Sequence, residues 1–173
     1  MALIFQYGSN CLESQINGEE RLCGDAKFTG IAQTVEDYQL AFDVLSKNRG
    51  CAASDIVLSP GNKVWGVLYE VPDFLIERRT AKERGRKSLD QIEGEGTNYK
   101  RSLIDVKCSD GKVRTAITYT VIKPLRTVQT NLEYVRHIVH GLREHGVFEE
   151  YINSVKAIAC ANNPAIAAAV SAL

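Results

Sequence analysis

The chain contains 173 residues, of which 45% are hydrophobic and 24% are charged. This length and composition are ordinary for a globular protein with a sizeable core. Lysine plus arginine and aspartate plus glutamate number 21 each, so the formal net charge is zero. A chain without net charge lacks the long-range attraction that would draw it to nucleic acid or to an anionic membrane, and we expect neither as a partner.

The sequence contains few features that indicate targeting, membrane insertion or disulfide formation. The apolar start of the chain has no basic leader and is too short for a signal peptide, and no stretch reaches the apolar length of a membrane span. The odd number of cysteines and the absence of a C-x-x-C pair argue against a disulfide framework and against a zinc site. We therefore expect reduced thiols and a cytoplasmic protein. The cysteines are Cys11, Cys23, Cys51, Cys108 and Cys160.

Strands dominate the predicted elements up to residue 121. The run at residues 64–71 is nearly continuously apolar, which is typical of a central strand covered on both faces. Residues 99–106 and 112–121 predict a hairpin across the Ser-Asp-Gly turn at 109–111. The other predicted strands cover residues 2–5, 27–33 and 38–44.

The segment from residue 73 to residue 88 differs from its surroundings. It is polar and net positive, and all six of its arginines and lysines lie between residues 78 and 87. We interpret it as a polar helix or an extended loop inserted between strands. Basic runs of this kind sometimes contact acidic partners, but two glutamates interrupt this one and no aromatic residues accompany it.

Helices are predicted from about residue 130 onward. Thr130 and Glu133 have the spacing of a capping box, and apolar residues then recur at helical spacing up to residue 142. A second helix is predicted from residue 148 to residue 158, and an alanine-rich tail at 165–173 predicts a short final helix. This order of elements indicates a single α+β domain over residues 1–173, with a mixed or barrel-like sheet and C-terminal helices.

Two polar pieces carry the candidate chemistry. The first is the Tyr-Gly-Ser-Asn loop at residues 7–10, whose glycine allows a sharp turn and whose amides are suited to bind an anion. The second is Glu93, which lies between an apolar residue and a glycine, with Asp90 and Glu95 nearby. Such surroundings raise a carboxyl pKa toward the range of a general acid or base. From local sequence alone, an ordinary strand-to-loop turn explains the first piece better than a binding site does, and a solvated acidic turn explains the second piece better than a catalytic residue does. Asp90 could equally cap a short helix.

Four motifs that occur in a fixed order favour a functional site over ordinary turns. They are Tyr-Gly-Ser-Asn, a Trp-Gly pair in a strand, Leu-Asp-x-x-Glu-Gly and Tyr-x-Arg, at residues 7–10, 65–66, 89–94 and 99–101. In this order they resemble the γ-glutamylcyclotransferase-like superfamily, whose small enzymes release 5-oxoproline from γ-glutamyl compounds. The resemblance extends from residue 3 to about residue 158. It implies an α+β fold with a mixed β-barrel or sheet, flanking helices and C-terminal helices.

The resemblance also implies roles for individual residues. Glu93 corresponds to the catalytic acid and base of the family. The residues that correspond to its substrate-binding positions are Tyr7, Gly8, Ser9, Asn10, Tyr99 and Tyr134. Two features depart from the family pattern: Gln6 stands where an apolar or small residue often precedes the tyrosine, and the basic segment is longer than usual. The position of that segment just before Glu93 suggests that it reshapes or covers the pocket rim.

The implied reaction is a ring closure. The α-amine of a γ-glutamyl group attacks its own γ-carbonyl, so that 5-oxoproline and a free amine or amino acid are released, without metal, nucleotide or redox cofactor. Two alternatives stay open: a relative that trims γ-glutamyl caps from larger amines, and a non-catalytic member that binds a small molecule or a protein. The sequence leaves open whether the chain forms a homodimer.

Two other groups of residues could in principle carry chemistry. His137 and His140 share a helix face, but no carboxylate lies at a spacing typical of a metal site, so we predict no metal there. Cys11 follows the polar loop directly, but it has no basic partner in sequence that would make it a nucleophile.

Overall fold

Seven β-strands and six α-helices follow one another along the chain, which the computed structural model describes from residue 1 to residue 173. The strands are β1 (Ala2–Gln6), β2 (Lys27–Thr34), β3 (Tyr38–Ser46), β4 (Cys51–Leu58), β5 (Trp65–Val71), β6 (Tyr99–Cys108) and β7 (Val113–Val121). The helices are α1 (Glu13–Ile16), α2 (Arg78–Lys82), α3 (Leu89–Glu93), α4 (Leu132–Glu144), α5 (Glu149–Asn162) and α6 (Ala167–Ser171). Three 3₁₀ turns lie at Ser9–Cys11, Asp73–Leu75 and Pro164–Ile166.

Five of the strands form a closed barrel in the order β1-β5-β2-β6-β7. Every pairing is antiparallel except the closing one, where Ile4 of β1 lies beside Ile117 of the parallel strand β7. The remaining strands, β3 and β4, form a separate antiparallel hairpin. The predicted α+β fold, with a barrel-like sheet and C-terminal helices, is confirmed. No helix combines the length and the apolar character needed to cross a bilayer.

Strand β4 is the one strand that the sequence pattern did not predict. Its first six residues are all buried, so both of its faces are covered and no alternation of polar and apolar residues appears. Two of the buried residues are Ser54 and Asp55, which look like loop residues when they are read from sequence. The hairpin to which β4 belongs forms one wall of the cavity described below.

The start of α4 differs from the predicted capping box. The cap is Asn131, whose side chain accepts a hydrogen bond from the backbone of Tyr134 at 2.8 Å. The backbone of Thr130 instead binds the end of α5, donating to Asn162 at 2.7 Å and accepting from Asn163 at 2.8 Å. These two bonds hold Thr130 in place, and the helix therefore begins one residue later than a cap at Thr130 would place it.

Helix α4 lies directly against the loop that follows β1. A Cβ atom at Gly141 would lie only 2.2 Å from the backbone nitrogen of Leu12 and 2.4 Å from the carbonyl carbon of Cys11. Glycine is therefore required here for close approach of two backbones, although glycine is a poor helix residue. This contact fixes the polar loop relative to the helix that carries Tyr134.

We predict that Gly141→Ala destabilises the protein. Alanine favours a helix over glycine by about 1 kcal/mol, but the clash with the Cys11–Leu12 backbone cannot be relieved by a rotamer change. Overpacking of this kind costs about 1–3 kcal/mol, so the unfolding midpoint in urea is expected to fall.

The matched control for this variant is His140→Ala, one residue earlier on the exposed face of the same helix. It should leave the midpoint unchanged or raise it slightly. A Gly141→Ala protein that unfolds at the wild-type urea concentration or above would contradict the close contact.

Candidate functional site

A cavity of about 310 Å³ opens between the polar loop, the turn that joins β3 to β4, and helix α3. A smaller cavity of about 30 Å³ adjoins it on the side of the barrel. Five residues line both cavities and therefore stand at their boundary: Ser9, Asn10, Glu93, Tyr99 and Tyr134. All five were predicted as site residues from sequence. The other two predicted residues, Tyr7 and Gly8, line the smaller cavity only.

Helix α3 places Glu93 at the cavity wall. Ser88 caps the helix and forms a capping box with Gln91: the serine hydroxyl accepts from the Gln91 backbone at 3.1 Å, and the Gln91 side chain accepts from the Ser88 backbone at 2.9 Å. Gly94 ends the helix in the left-handed conformation, with φ of 69°. A left-handed C-terminal residue is usually glycine because other residues are strained there. Glu93 is therefore the last residue of a helix that is fixed at both ends.

Asp90 anchors α3 to the barrel instead of capping the helix, so the cap considered from sequence is wrong. Its buried carboxylate accepts from the hydroxyl of Tyr119 at 2.7 Å and pairs with Arg101 at 3.3 Å. Arg101 also pairs with Glu77 at 3.0 Å. The Asp of the Leu-Asp-x-x-Glu-Gly motif and the Arg of the Tyr-x-Arg motif thus meet in one contact that holds α3 against β6.

The carboxylate of Glu93 is bound through one oxygen only. Its Oε1 accepts from the side-chain amide of Asn10 at 2.7 Å and from that of Gln6 at 3.2 Å. Asn10 is held in turn because its own Oδ1 accepts a hydrogen bond from Arg21. The second oxygen of Glu93, Oε2, makes no hydrogen bond within the protein and belongs to a half-buried residue on the cavity wall.

Burial raises the pKa of Glu93 above its ordinary value. The positive charge of Arg21 and the hydrogen bonds from Asn10 and Gln6 offset part of this shift because they favour the charged form. A carboxyl group whose pKa is moved toward neutrality, and which keeps a free oxygen at a cavity, is suited to accept and return a proton.

Buried tyrosines form the walls around Glu93. The hydroxyl of Tyr7 donates to the carbonyl of Tyr119, and that of Tyr99 donates to the carbonyl of Ser54 at 2.7 Å. The Tyr134 hydroxyl lies 3.0 Å from the Ser54 backbone nitrogen, which donates to it, and 2.9 Å from the Ser54 side chain. Burial raises the pKa of Tyr7 and of Tyr99 well above the ordinary value. These phenols stay protonated near neutral pH. Their hydroxyl groups are hydrogen-bonded within the protein, which fixes the rings as walls of the cavity.

Gly8 serves close packing and not the left-handed turn for which glycine is often needed. Its φ is −104°, which other residues adopt, but a Cβ atom would lie 2.3 Å from the Ser54 side-chain oxygen. The chain then enters the 3₁₀ turn, and the backbone amides of Ser9 and Asn10 find no acceptor within the protein. The loop therefore presents two unpaired backbone donors beside Glu93.

Sequence reasoning missed four residues of the site. Gln6 was noted only as a departure from the family pattern, although a polar residue at the buried end of an apolar strand was itself a signal. Arg21 and Arg49 lie in segments that look like ordinary charged surface, and Ser54 lies in the unpredicted strand β4. No local sequence signal marks Arg21, Arg49 or Ser54 as site residues, because only the folded chain brings them to the cavity.

The basic segment at residues 78–87 lies away from the cavity, so its suggested place at the pocket rim is wrong. No residue of the segment lines the main cavity. Arg78 donates to the backbone of Glu95, and Arg86 pairs with Asp25 at 2.7 Å and donates to the backbone of Leu22 at 2.9 Å. These contacts hold the segment against the outer side of α3 and of the loop before β2.

The other candidates also lie outside the cavity. No histidine lines it, and Nε2 of His145 lies 3.0 Å from the hydroxyl of Tyr69. The thiol of Cys11 is fully buried and donates to the carbonyl of Gln6 at 3.1 Å. Burial raises the pKa of Cys11 far above the range in which a thiolate forms near neutral pH, so this thiol is not a nucleophile.

The chain is similar to known gamma-glutamyl cyclotransferases. The family model described as "Gamma-glutamyl cyclotransferase, AIG2-like" matches residues 4–138. Mouse gamma-glutamylcyclotransferase is 29% identical over 161 residues, which cover 90% of this chain and 78% of the mouse protein, and the human protein of the same name is 27% identical over the same shares. A solved structure of a gamma-glutamyl cyclotransferase superposes with a TM-score of 0.73 at 26% identity, covering 91% of this chain and 87% of the other. The chain therefore belongs to the AIG2-like family of gamma-glutamyl cyclotransferases.

Proposed function

We propose that this protein is a cyclotransferase that closes the γ-glutamyl group of a small substrate into 5-oxoproline, with Glu93 as general base and then general acid. One observation carries the proposal: Glu93 is fixed through Oε1 and keeps Oε2 free at a cavity that it shares with the polar loop. The names of the mouse and human relatives support the same reaction class.

The polar loop supplies the binding site for the glutamyl head group. The unpaired backbone amides of Ser9 and Asn10 are suited to hold its α-carboxylate. Arg21 lines the same cavity, and its Nε is buried without a partner, so it adds a positive charge that attracts the same group. An α-carboxylate held there brings the α-ammonium of the substrate toward Glu93, because the two groups share one carbon atom.

The reaction needs one proton carrier and no further reactant. Glu93 removes a proton from the α-ammonium, the free amine attacks the γ-carbonyl, and a carbon–nitrogen bond closes the five-membered ring. The bond between the γ-carbon and the leaving nitrogen then breaks as the proton held by Glu93 passes to that nitrogen. The freed carboxylate takes the second proton from the ring nitrogen and returns it to the amine, which leaves as an ammonium. The products are 5-oxoproline and an amine, with neither water nor a redox partner consumed.

The cavity contributes chiefly by orientation. The substrate carries its own nucleophile, so the barrier falls when the chain is held in the folded conformation that ring closure requires. Well-oriented intramolecular reactions gain up to about 7–11 kcal/mol in this way. The buried walls of Tyr99 and Tyr134 restrict the space in which the substrate can unfold.

We predict that Glu93→Gln abolishes most of the activity and preserves the fold. Glutamine keeps an oxygen that accepts from Asn10 and Gln6 but cannot take up a proton, so the rate of 5-oxoproline release from γ-glutamyl-alanine should fall by about a hundredfold or more. Circular dichroism and the thermal midpoint should match those of the wild type.

The control is Glu95→Gln, two residues away and outside both cavities, which should keep wild-type activity. A Glu93→Gln enzyme that works at the wild-type rate would contradict the role of the base. A wild-type protein that binds γ-glutamyl-alanine and releases no 5-oxoproline would instead favour a non-catalytic binding protein.

We predict that Gln6→Leu moves the acidic limb of the pH profile of kcat/KM to higher pH. The base must be charged to act, so activity is lost as pH falls through the pKa of Glu93. Gln6 donates to the charged carboxylate and lowers this pKa, so the loss of this hydrogen bond should raise the pKa.

The matched control for Gln6→Leu is Asn98→Ala, which alters the cavity lining but removes no hydrogen bond to Glu93. Its acidic limb should coincide with that of the wild type, even where KM changes. An acidic limb that stays in place in Gln6→Leu, or moves to lower pH, would show that the hydrogen bond does not tune the base.

A further inference from the structure

Arg21, Asn10 and Glu93 form a row of side chains joined by two hydrogen bonds. Nη2 of the Arg21 guanidinium donates to the side-chain oxygen Oδ1 of Asn10, and the side-chain nitrogen Nδ2 of Asn10 donates to Oε1 of Glu93 at 2.7 Å. Asn10 is buried, and its amide meets Arg21 at one end and Glu93 at the other. In the proposed function Arg21 serves only to attract the substrate through its charge.

The amide of Asn10 has two ends with different chemistry. Its oxygen accepts hydrogen bonds and its nitrogen donates them, and the two ends exchange places when the group turns by about 180°. A guanidinium carries donors and no acceptor. The oxygen of the amide must therefore face Arg21, because the turned group would set two donors against each other. The nitrogen is then left facing Glu93.

This orientation matters because a carboxyl group changes its hydrogen-bonding character with its charge. A carboxylate only accepts hydrogen bonds, whereas a protonated carboxyl group can also donate one. If the amide turned, Oδ1 of Asn10 would accept from a protonated Glu93 and would stabilise the neutral form. With Arg21 in place the amide presents only a donor, which favours the charged form that a general base requires.

From these contacts we infer that Arg21 is a positioning residue for the base: it fixes the amide of Asn10 so that only a donor faces Glu93. The contact with Asn10 uses Nη2 of the guanidinium. Nε is buried without a partner and stays available to the substrate, so one side chain can serve both purposes. This inference rests on the proposed function, because it assigns a role toward the base of that reaction.

The other titratable groups around Glu93 do not provide the same contact. Lys47 and Arg49 line the main cavity from the β3–β4 turn, and neither donates a hydrogen bond to Glu93. On helix α3 itself, the carboxylate of Asp90 is held by its ion pair with β6. Burial raises the pKa of the four phenols that share the smaller cavity with Glu93, so they are neutral near neutral pH: Tyr7, Tyr99, Tyr119 and Tyr134.

The test is the titration of the Glu93 carboxyl group, followed by NMR through its carbon chemical shift in protein labelled with carbon-13 glutamate. The resonance is assigned by its absence in Glu93→Gln. In Arg21→Met an apolar side chain replaces the guanidinium and cannot fix the amide, so the titration should move to higher pH. The acidic limb of kcat/KM for γ-glutamyl-alanine should move in the same direction.

A second background separates the hydrogen bond from the charge. The positive charge of Arg21 also lowers the pKa of Glu93 directly, and this effect persists when Asn10 is replaced by alanine. Arg21→Met should therefore shift the titration less in an Asn10→Ala protein than in the wild type, because the contact through which Arg21 acts is already absent. Equal shifts in the two backgrounds would show that the charge alone acts, and would overturn the inference.

Two further variants separate orientation from structure. Arg21→Lys keeps a positive charge and a side chain that only donates, so its titration should lie nearer to that of the wild type than the titration of Arg21→Met does. Arg86→Met is the matched control, since Arg86 holds the neighbouring residues Leu22 and Asp25 but lies outside both cavities. It should leave the titration unchanged. A shift in Arg86→Met as large as that in Arg21→Met would attribute the effect to a loosened segment and would overturn the inference.

The titration requires no turnover, so it is independent of the reaction. If circular dichroism shows that Arg21→Met does not fold, Arg21→Gln replaces it in both backgrounds with the same expected shifts. Failure of the wild type to release 5-oxoproline from γ-glutamyl-alanine would overturn the proposed function, whereas the comparison of the two backgrounds decides whether Arg21 acts through Asn10.

Discussion

The hydrogen bond between Asn10 and Glu93 joins two parts of the chain that lie 83 residues apart. The rest of the site depends on it, because it fixes which carboxylate oxygen is occupied and which one faces the cavity. Asn10 also accepts a hydrogen bond from Arg21. The loop, the carboxylate and this cation are therefore connected by hydrogen bonds. A shift of the loop by an ångström or so would disturb all three together, and sites of this kind depend on such accuracy.

The barrel holds helix α3 in position, and helix α4 holds the polar loop in position. Strand β1 leads directly into the loop, and the ion pair and hydrogen bond of Asp90 tie α3 to β6 and β7. On the far side, Gly141 lets α4 press against the backbone of the loop. Satisfied buried polar contacts and close backbone packing leave few alternative arrangements. The same framework leaves Oε2 of Glu93 and the amides of Ser9 and Asn10 unpaired, which costs stability and is tolerated where ligand binding requires free groups.

Much of this was predictable from the sequence, for physical reasons that also explain the failures. The alternating pattern of β7 and the apolar stripe of α4 follow from one buried face each, and the order of the four motifs led to the family. Strand β4 was missed because both of its faces are buried and it contains Ser54. Asn131 was missed as a cap because the neighbouring Thr130 is held by α5, which is a tertiary contact. Arg21 and Arg49 are surface-like in sequence, and only the folded chain shows that they line a cavity.

The two ends of the cavity are built from different parts of the fold. Glu93, Gln6 and the polar loop are held by the barrel and by α4, whereas Lys47 and Arg49 lie on the turn of a hairpin outside the barrel. Residues on a turn can change without disturbing a barrel, since few buried contacts depend on them. The carboxylate with its polar loop and the cations of the turn therefore rest on separate structural elements. The charge of the turn can therefore change while the framework that holds Glu93 stays the same.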